Sequence, residues 1–289
     1  MIVTVFDWDD TLMSTTDYFR REAISERTSG DGEDSPDSSP TLSIKYPALT
    51  KRIRALLSAA LSKGHVYIIT NGEIGWVYKC IDENLVDEET GQPPRDLLER
   101  VHLLSTVDCG IARDTDVENR KTAALSRIGG MFNRRGAPHR LVAFGDCVYD
   151  REGVLMLKYK ISKYTYVTNV KMMSRPDVHT LLAQQELLLK NFNGFYSGKH
   201  HDVMTAMVYD QSSGSGNLGN IVWALAPYEE DEECSEYREV TDDGSYGDLD
   251  PDSILNMTGG GPWDIQTVVA EVVERLVFTV EDMNEEISG

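Results

Sequence analysis

The chain has 289 residues, 40% of them hydrophobic, and carries 28 Lys and Arg against 48 Asp and Glu, for a formal charge of −20 at pH 7. That length suffices for one full α/β core with material left over but not for two large domains, and the acidity argues against nucleic acid as a direct partner, because binding phosphates needs a basic face. No apolar run approaches the roughly 20 residues that cross a bilayer, and the cysteines Cys80, Cys109, Cys147 and Cys234 show no C-x-x-C spacing, so a cytoplasmic protein with reduced thiols and no membrane contact is expected.

The chain opens on an apolar, β-branched run, residues 2–6, which predicts a central strand of a parallel sheet, so no signal peptide is expected. It ends in Asp7-Trp8-Asp9-Asp10-Thr11-Leu12, which places acids at the strand's carboxyl end, where open α/β sheets bind ligands. Acids crowded with no base beside them call for a hard cation held by oxygens or for a raised pKa on one acid; a solvated acidic turn is the plainer alternative. A short helix is expected over residues 17–26, then a Ser/Asp/Gly/Pro loop over 29–41 that buries too little to offset its ordering entropy and so should be mobile. Pro47 to Lys63 has a helix-starting proline, apolar residues at helical spacing and Gly64 as its stop. It leads into a second buried-type strand, residues 66–70, that ends in Thr70 and is followed by Asn71-Gly72.

A helix is predicted over 74–85, a short strand over 101–104 and a helix over 116–132 that carries Lys121. Residues 141–145 form another apolar strand ending in Gly145-Asp146, with Asp150 one helical turn later; two acids so spaced after a buried strand are hard to explain as packing. A helix from 148 to 159, an extended stretch from 164 to 170 and an amphipathic helix over 177–192 follow. This alternation predicts an α/β fold with a doubly wound, mostly parallel sheet and right-handed crossovers.

Residues 194–262, rich in Gly, Ser and acids, read as a linker anchored by the apolar segment 221–225. Within it, 229–252 holds twelve acids against one base, Arg238. Gly259 to Gly261 invite a phosphate-loop reading, but no strand precedes them and no Lys-Ser or Lys-Thr follows. The last segment, 263–286, has Ile265, Val268, Val269, Val272, Val273, Leu276, Val277 and Val280 at three-four spacing, an amphipathic helix that either packs on the core or serves a dimer or partner.

An acid pair after a strand, a strand-end hydroxyl, a lysine and a second acid pair, in that order, resemble the four motifs of the haloacid dehalogenase (HAD) superfamily. The match spans roughly residues 1–170. Bacterial receiver domains combine similar groups, but their second acid precedes the hydroxyl and their lysine comes last, so the order here argues against them. The stretches around Asp7, around Thr70-Asn71-Gly72 and around Asp146-Cys147 look more narrowly like an uncharacterised eukaryotic HAD-like subfamily, which names no substrate.

The resemblance implies a HAD-like core over residues 1–193 with no large folded cap, and a Mg²⁺-dependent phosphatase that forms an aspartyl-phosphate on Asp7. By the same match Asp9 is the general acid and base, Thr70 and the amide of Asn71 bind the transferred phosphoryl group, and Lys121 offsets its charge. Mg²⁺ would be held by Asp7, Asp146 and the backbone carbonyl of Asp9, with Asp150 either a ligand or an acceptor behind one. Lys79 and Arg120 compete with Lys121 for the lysine's place, and Asp10, His200, His201 and Cys147 read as solvated or structural. An open site suits a phosphorylated small metabolite or a phosphoprotein, or a lid supplied by a second subunit or by the C-terminal segment, with the acidic 229–252 stretch as an internal lid or pseudo-substrate. A catalytically weak HAD-fold interaction protein is the main alternative, and a phosphomutase a lesser one.

Overall fold

The first strand, β1 (Ile2–Asp7), alternates its side chains between two buried faces, which is what a strand covered on both sides requires. Val3 and Val5 face one apolar cluster and Phe6 faces the other, each of them 3% exposed or less. The computed structural model describes residues 1–29, 45–108, 117–135, 137–162, 164–198, 201–209 and 221–227. These belong to a unit spanning Met1–Pro227.

After β1 come α1 (Thr15–Ser29), α2 (Pro47–Lys63), β2 (His65–Thr70), α3 (Ile74–Asn84) and β3 (His102–Ser105). The second half runs α4 (Val117–Arg135), β4 (Arg140–Gly145), α5 (Val148–Ile161), β5 (Tyr166–Lys171), α6 (Val178–Lys190), β6 (His201–Tyr209) and β7 (Ile221–Pro227). The described strands form one seven-stranded sheet in the order β3-β2-β1-β4-β5-β6-β7. Neighbours from β3 to β6 are parallel, and β7 pairs antiparallel with β6. The fold is therefore α/β with a mostly parallel, Rossmann-like sheet.

The two faces are covered by different helices. Leu49, Ile53, Leu56 and Leu57 of α2 and Leu181 and Leu188 of α6 pack with Phe6, Ile68 and Phe144, whose rings Phe6 and Phe144 stack at 4.8 Å. On the opposite face Leu125 and Ile128 of α4 and Val154 and Leu157 of α5 pack with Val3, Val5, Ile69 and Leu141. From β1 the chain builds outward through β2 and β3, then returns to lay β4 on the other side of β1. The order reverses between β1 and β4, so the crevice at their carboxyl ends is the place such sheets offer a ligand. Asp7 and Asp146 stand at those two ends.

The linker expected from Gly194 onward is corrected by the sheet itself. β6 pairs with β5 through Thr168↔His201 to Lys171↔Met204, and β7 pairs with β6 along its whole length from Val203↔Pro227 to Tyr209↔Ile221. The core thus extends past residue 193 to Pro227, and the segment 221–225 is the heart of a strand. Each strand is flanked by the Gly- and Ser-rich residues 210–220, whose composition dominates any window long enough to average over both. His201 lies in β6, while His200, the loop residues 30–41, the acidic 229–252 stretch and the helix expected over 263–286 lie outside the described residues. Among the described residues no helix is long and apolar enough to cross a membrane.

α2 begins at its proline and is stopped by Gly64, whose backbone N–H bonds the Ala60 carbonyl at 3.2 Å. A Cβ on Gly64 would lie 2.2 Å from the Ile2 carbonyl oxygen, so the start of β1 passes directly over this residue. Replacing Gly64 with Ala is expected to lower stability by about 1–3 kcal/mol, read as a drop in the urea midpoint, since backbone and not a flexible side chain must yield. An unchanged midpoint would refute that contact.

Candidate active site

Beyond Asp7 the backbone turns back on itself, with the amides of Leu12 and Met13 both donating to the Trp8 carbonyl at 3.0 Å and the Asp10 amide to the Met13 carbonyl at 2.7 Å. Asp10 adopts φ 55°, a left-handed conformation that Asp tolerates because its short side chain bonds nearby groups. Its carboxylate accepts from the Thr16 amide at 2.9 Å and the Thr16 hydroxyl at 2.5 Å, so its role is structural. The loop is clamped from behind: Gln185 Nε2 of α6 donates to the carbonyls of Thr11 and Leu12, and the Ser14 hydroxyl to the Pro176 carbonyl at 2.6 Å. Asp7 itself is 1% exposed.

Lys121, near the start of α4, is buried and reaches both acid pairs, with Nζ 2.7 Å from Asp7 Oδ1 and 2.5 Å from Asp150 Oδ1. Lys79, a competing candidate, has a 49% exposed side chain 4.0 Å from Glu83. Asp150 is the third residue of α5 and closes its N-terminus: Oδ2 accepts from the Cys147 amide at 3.2 Å and from the Cys147 thiol at 3.1 Å. Both Asp150 oxygens are thereby engaged, an arrangement that suits an anchor for Lys121 and leaves Asp7 and Asp146 as the freer carboxylates. Gly145 is required here, because a Cβ would fall 2.4 Å from Asp150 Oδ2.

Burial and the neighbouring Asp150 push Asp7 well above the ordinary carboxylate range, against the pull of Lys121. Burial, then Asp150, raises Asp146 to about 7. Lys121 loses hydration by burial, but Asp150 and Asp7 more than compensate and hold its proton firmly. Burial and Asp150 push the Cys147 thiol up as well, consistent with a protonated thiol that donates to Asp150. One ammonium thus serves a group of buried acids, and Asp7 Oδ2 is buried with no hydrogen-bond partner. An orphaned buried carboxylate oxygen beside an excess of negative charge fits a hard divalent cation with oxygen ligands. Ligand atoms of Asp146, Cys147 and Asp150 lie within 4.8 Å of one another, which adds Cys147 to the neighbourhood without making it a hard-cation ligand.

Asp9 points to the other side of the loop. Its carboxylate receives three donors: Thr15 Oγ1 at 2.8 Å and Trp76 Nε1 at 3.0 Å on Oδ1, and Thr70 Oγ1 at 2.8 Å on Oδ2. Thr70, fully buried at the end of β2, also accepts the Gly72 amide at 2.9 Å, so in this state its proton is committed to Asp9. Asn71 follows half-buried, its carbonyl and side-chain oxygens each 3.4 Å from the Thr106 hydroxyl. All the residues singled out from the sequence, Asp7, Asp9, Thr70, Asn71, Lys121, Asp146 and Asp150, therefore lie at the carboxyl edge of the sheet or on the helices that begin there. Trp76, Thr15 and Gln185 were not singled out; the sequence offered only a tryptophan six residues after the strand-end Thr70 and a glutamine within an amphipathic helix, which the structure shows to be 0% exposed.

Comparison of the chain with protein-family models, with curated proteins and with solved structures finds no match.

Replacing Lys121 with Met leaves Asp7 and Asp150 facing each other without the buried cation. The expected loss of folding free energy is about 3–5 kcal/mol, measured by urea denaturation at neutral pH. A loss below about 1 kcal/mol would mean that the ammonium contributes nothing to holding the two acids together.

Proposed function

We propose that the chain is a Mg²⁺-dependent phosphohydrolase of the haloacid dehalogenase type, acting on a phosphate monoester through Asp7. The observation that carries this reading is the Asp7 carboxylate: it stands at the sheet's switch point, with Oδ1 fixed by Lys121 and Oδ2 buried and unpartnered. A carboxylate oriented through one oxygen, with the other committed to no hydrogen bond, supports an in-line nucleophile.

In the first step an Asp7 oxygen bonds to phosphorus as the ester P–O bond breaks, and the departing oxygen takes a proton from Asp9. In the second, Asp9 accepts a proton from water as the water oxygen attacks phosphorus, which restores Asp7 and releases phosphate. Thr70 turns its hydroxyl from Asp9 to the phosphoryl oxygens, and the Asn71 amide joins it. Lys121 keeps Asp7 in place and offsets charge on the phosphoryl group, while Asp150 holds Lys121. Mg²⁺ bound by Asp7, Asp146 and the Asp9 carbonyl would screen the repulsion between nucleophile and phosphate. Between Thr70 and Lys121 the described residues are α3, a short 3₁₀ turn and β3, all part of the core, which supports an open site for a phosphorylated metabolite or phosphoprotein.

The test is phosphate release from p-nitrophenyl phosphate, with Mg²⁺ and with excess chelator. The native chain should turn over only with the metal, and Asp7→Asn should lower kcat by about 10³-fold or more. Equal rates for native and Asp7→Asn protein would contradict the assignment of the nucleophile, and no turnover together with no Mg²⁺ binding by calorimetry would favour a HAD-fold interaction protein.

A further inference from the structure

Asp9 is held by three donors, and two of them, Thr15 and Trp76, belong to none of the motif positions. We infer that Trp76 is a positioning residue for Asp9: its indole N–H fixes Oδ1, so that Oδ2 is the oxygen presented to the leaving group. This rests on the phosphohydrolase reading and adds to it.

The three donors differ in what they can do. The hydroxyls of Thr15 and Thr70 rotate and can accept as well as donate, whereas an indole N–H only donates. The Trp76 ring is also fixed from several sides. Phe19 stacks on it at 5.1 Å with planes 8° apart, Tyr18 meets it edge-on at 5.7 Å, and the Lys79 ammonium lies 5.9 Å from its centre. Tyr18 is itself tied to Glu83 through its hydroxyl at 2.9 Å. Two helices, α1 and α3, therefore meet in an aromatic contact whose polar tip is aimed at a single carboxylate oxygen.

The distribution of the donors supplies the selectivity. Oδ1 receives Trp76 and Thr15, and Oδ2 receives Thr70 alone. Thr70 is the donor that a phosphoryl group claims in the proposed reaction. When it turns to substrate, Oδ1 stays tied to α1 and α3 and Oδ2 becomes the open oxygen, facing the bond that breaks. The orientation of the acid is thereby set before substrate arrives.

An acid that hands a proton to the leaving oxygen matters in proportion to how poorly that oxygen leaves as an anion. A residue that only packs would alter all substrates alike. The experiment compares kcat/KM of native protein and Trp76→Phe, with Mg²⁺, on p-nitrophenyl, phenyl and p-methoxyphenyl phosphates, which share a shape and differ in leaving-group basicity. Phe keeps a ring for the contact with Phe19 and removes the N–H. The loss should grow along the series, about tenfold larger for p-methoxyphenyl than for p-nitrophenyl phosphate, and Asp9→Asn should grade in the same direction. Thr15→Val, which removes the other donor to Oδ1, should grade likewise and serves if Trp76→Phe fails to fold. An equal loss on all three esters, or none, overturns the positioning role. If native turnover of p-nitrophenyl phosphate still requires Asp7 in that case, the phosphohydrolase reading stands; if native protein hydrolyses no ester of the series, that reading fails and this inference with it.

Discussion

Everything at the carboxyl edge of the sheet depends on one buried ammonium shared by two carboxylates. Lys121 comes from α4, Asp7 from β1 and Asp150 from α5, so a single charge joins the central strand to both helices of one face. Taking such groups out of water costs several kcal/mol each, and the cost is recovered only when geometry and hydrogen bonding are complete. Here Lys121 and both Asp150 oxygens have partners, and Asp7 Oδ2 has none. The shortfall falls on Asp7, at the point where the strand order reverses.

The loop from Trp8 to Ser14 converts that constraint into a site with two sides. Asp7 faces the buried charges, and Asp9, two residues on, faces the hydroxyls and the indole at the ends of β2 and α3. The left-handed turn at Asp10 makes this divergence possible, and its cost, about 1–3 kcal/mol, is offset by Thr16, Ser14 and Gln185. Asp7 and Asp9 are thus held by separate networks, and either can be disturbed while the other keeps its geometry.

Much of this architecture was legible in the sequence, for physical reasons that can be named. β1, β2 and β4 are near-continuous apolar runs because both faces of a parallel sheet are covered, and α2 is delimited by a proline and a glycine that each have one structural use there. The motif residues could be placed because each sits at a strand end or a helix start. What could not be read was whatever depends on contacts distant in the chain. The donors that hold Asp9 lie 6, 61 and 67 positions away, and Gln185 lies 174 from the Thr11 carbonyl it holds. β6 and β7 escaped for a different reason: neither run alternates polar and apolar residues, and the Gly- and Ser-rich residues 210–220 lie between them, so the pair reads as one polar stretch with an apolar interruption.

The account's central claim is that Asp7 becomes covalently phosphorylated, and a reductive trap reads this directly. Borohydride added to protein turning over p-nitrophenyl phosphate with Mg²⁺ reduces an acyl phosphate to the alcohol, which converts the affected aspartate to homoserine. Mass spectrometry of the peptide that contains Asp7, Asp9 and Asp10 should locate homoserine at position 7 alone, and at no position when substrate is withheld. Phosphate accumulating while Asp7 remains unreduced, or homoserine at another position, would contradict the claim.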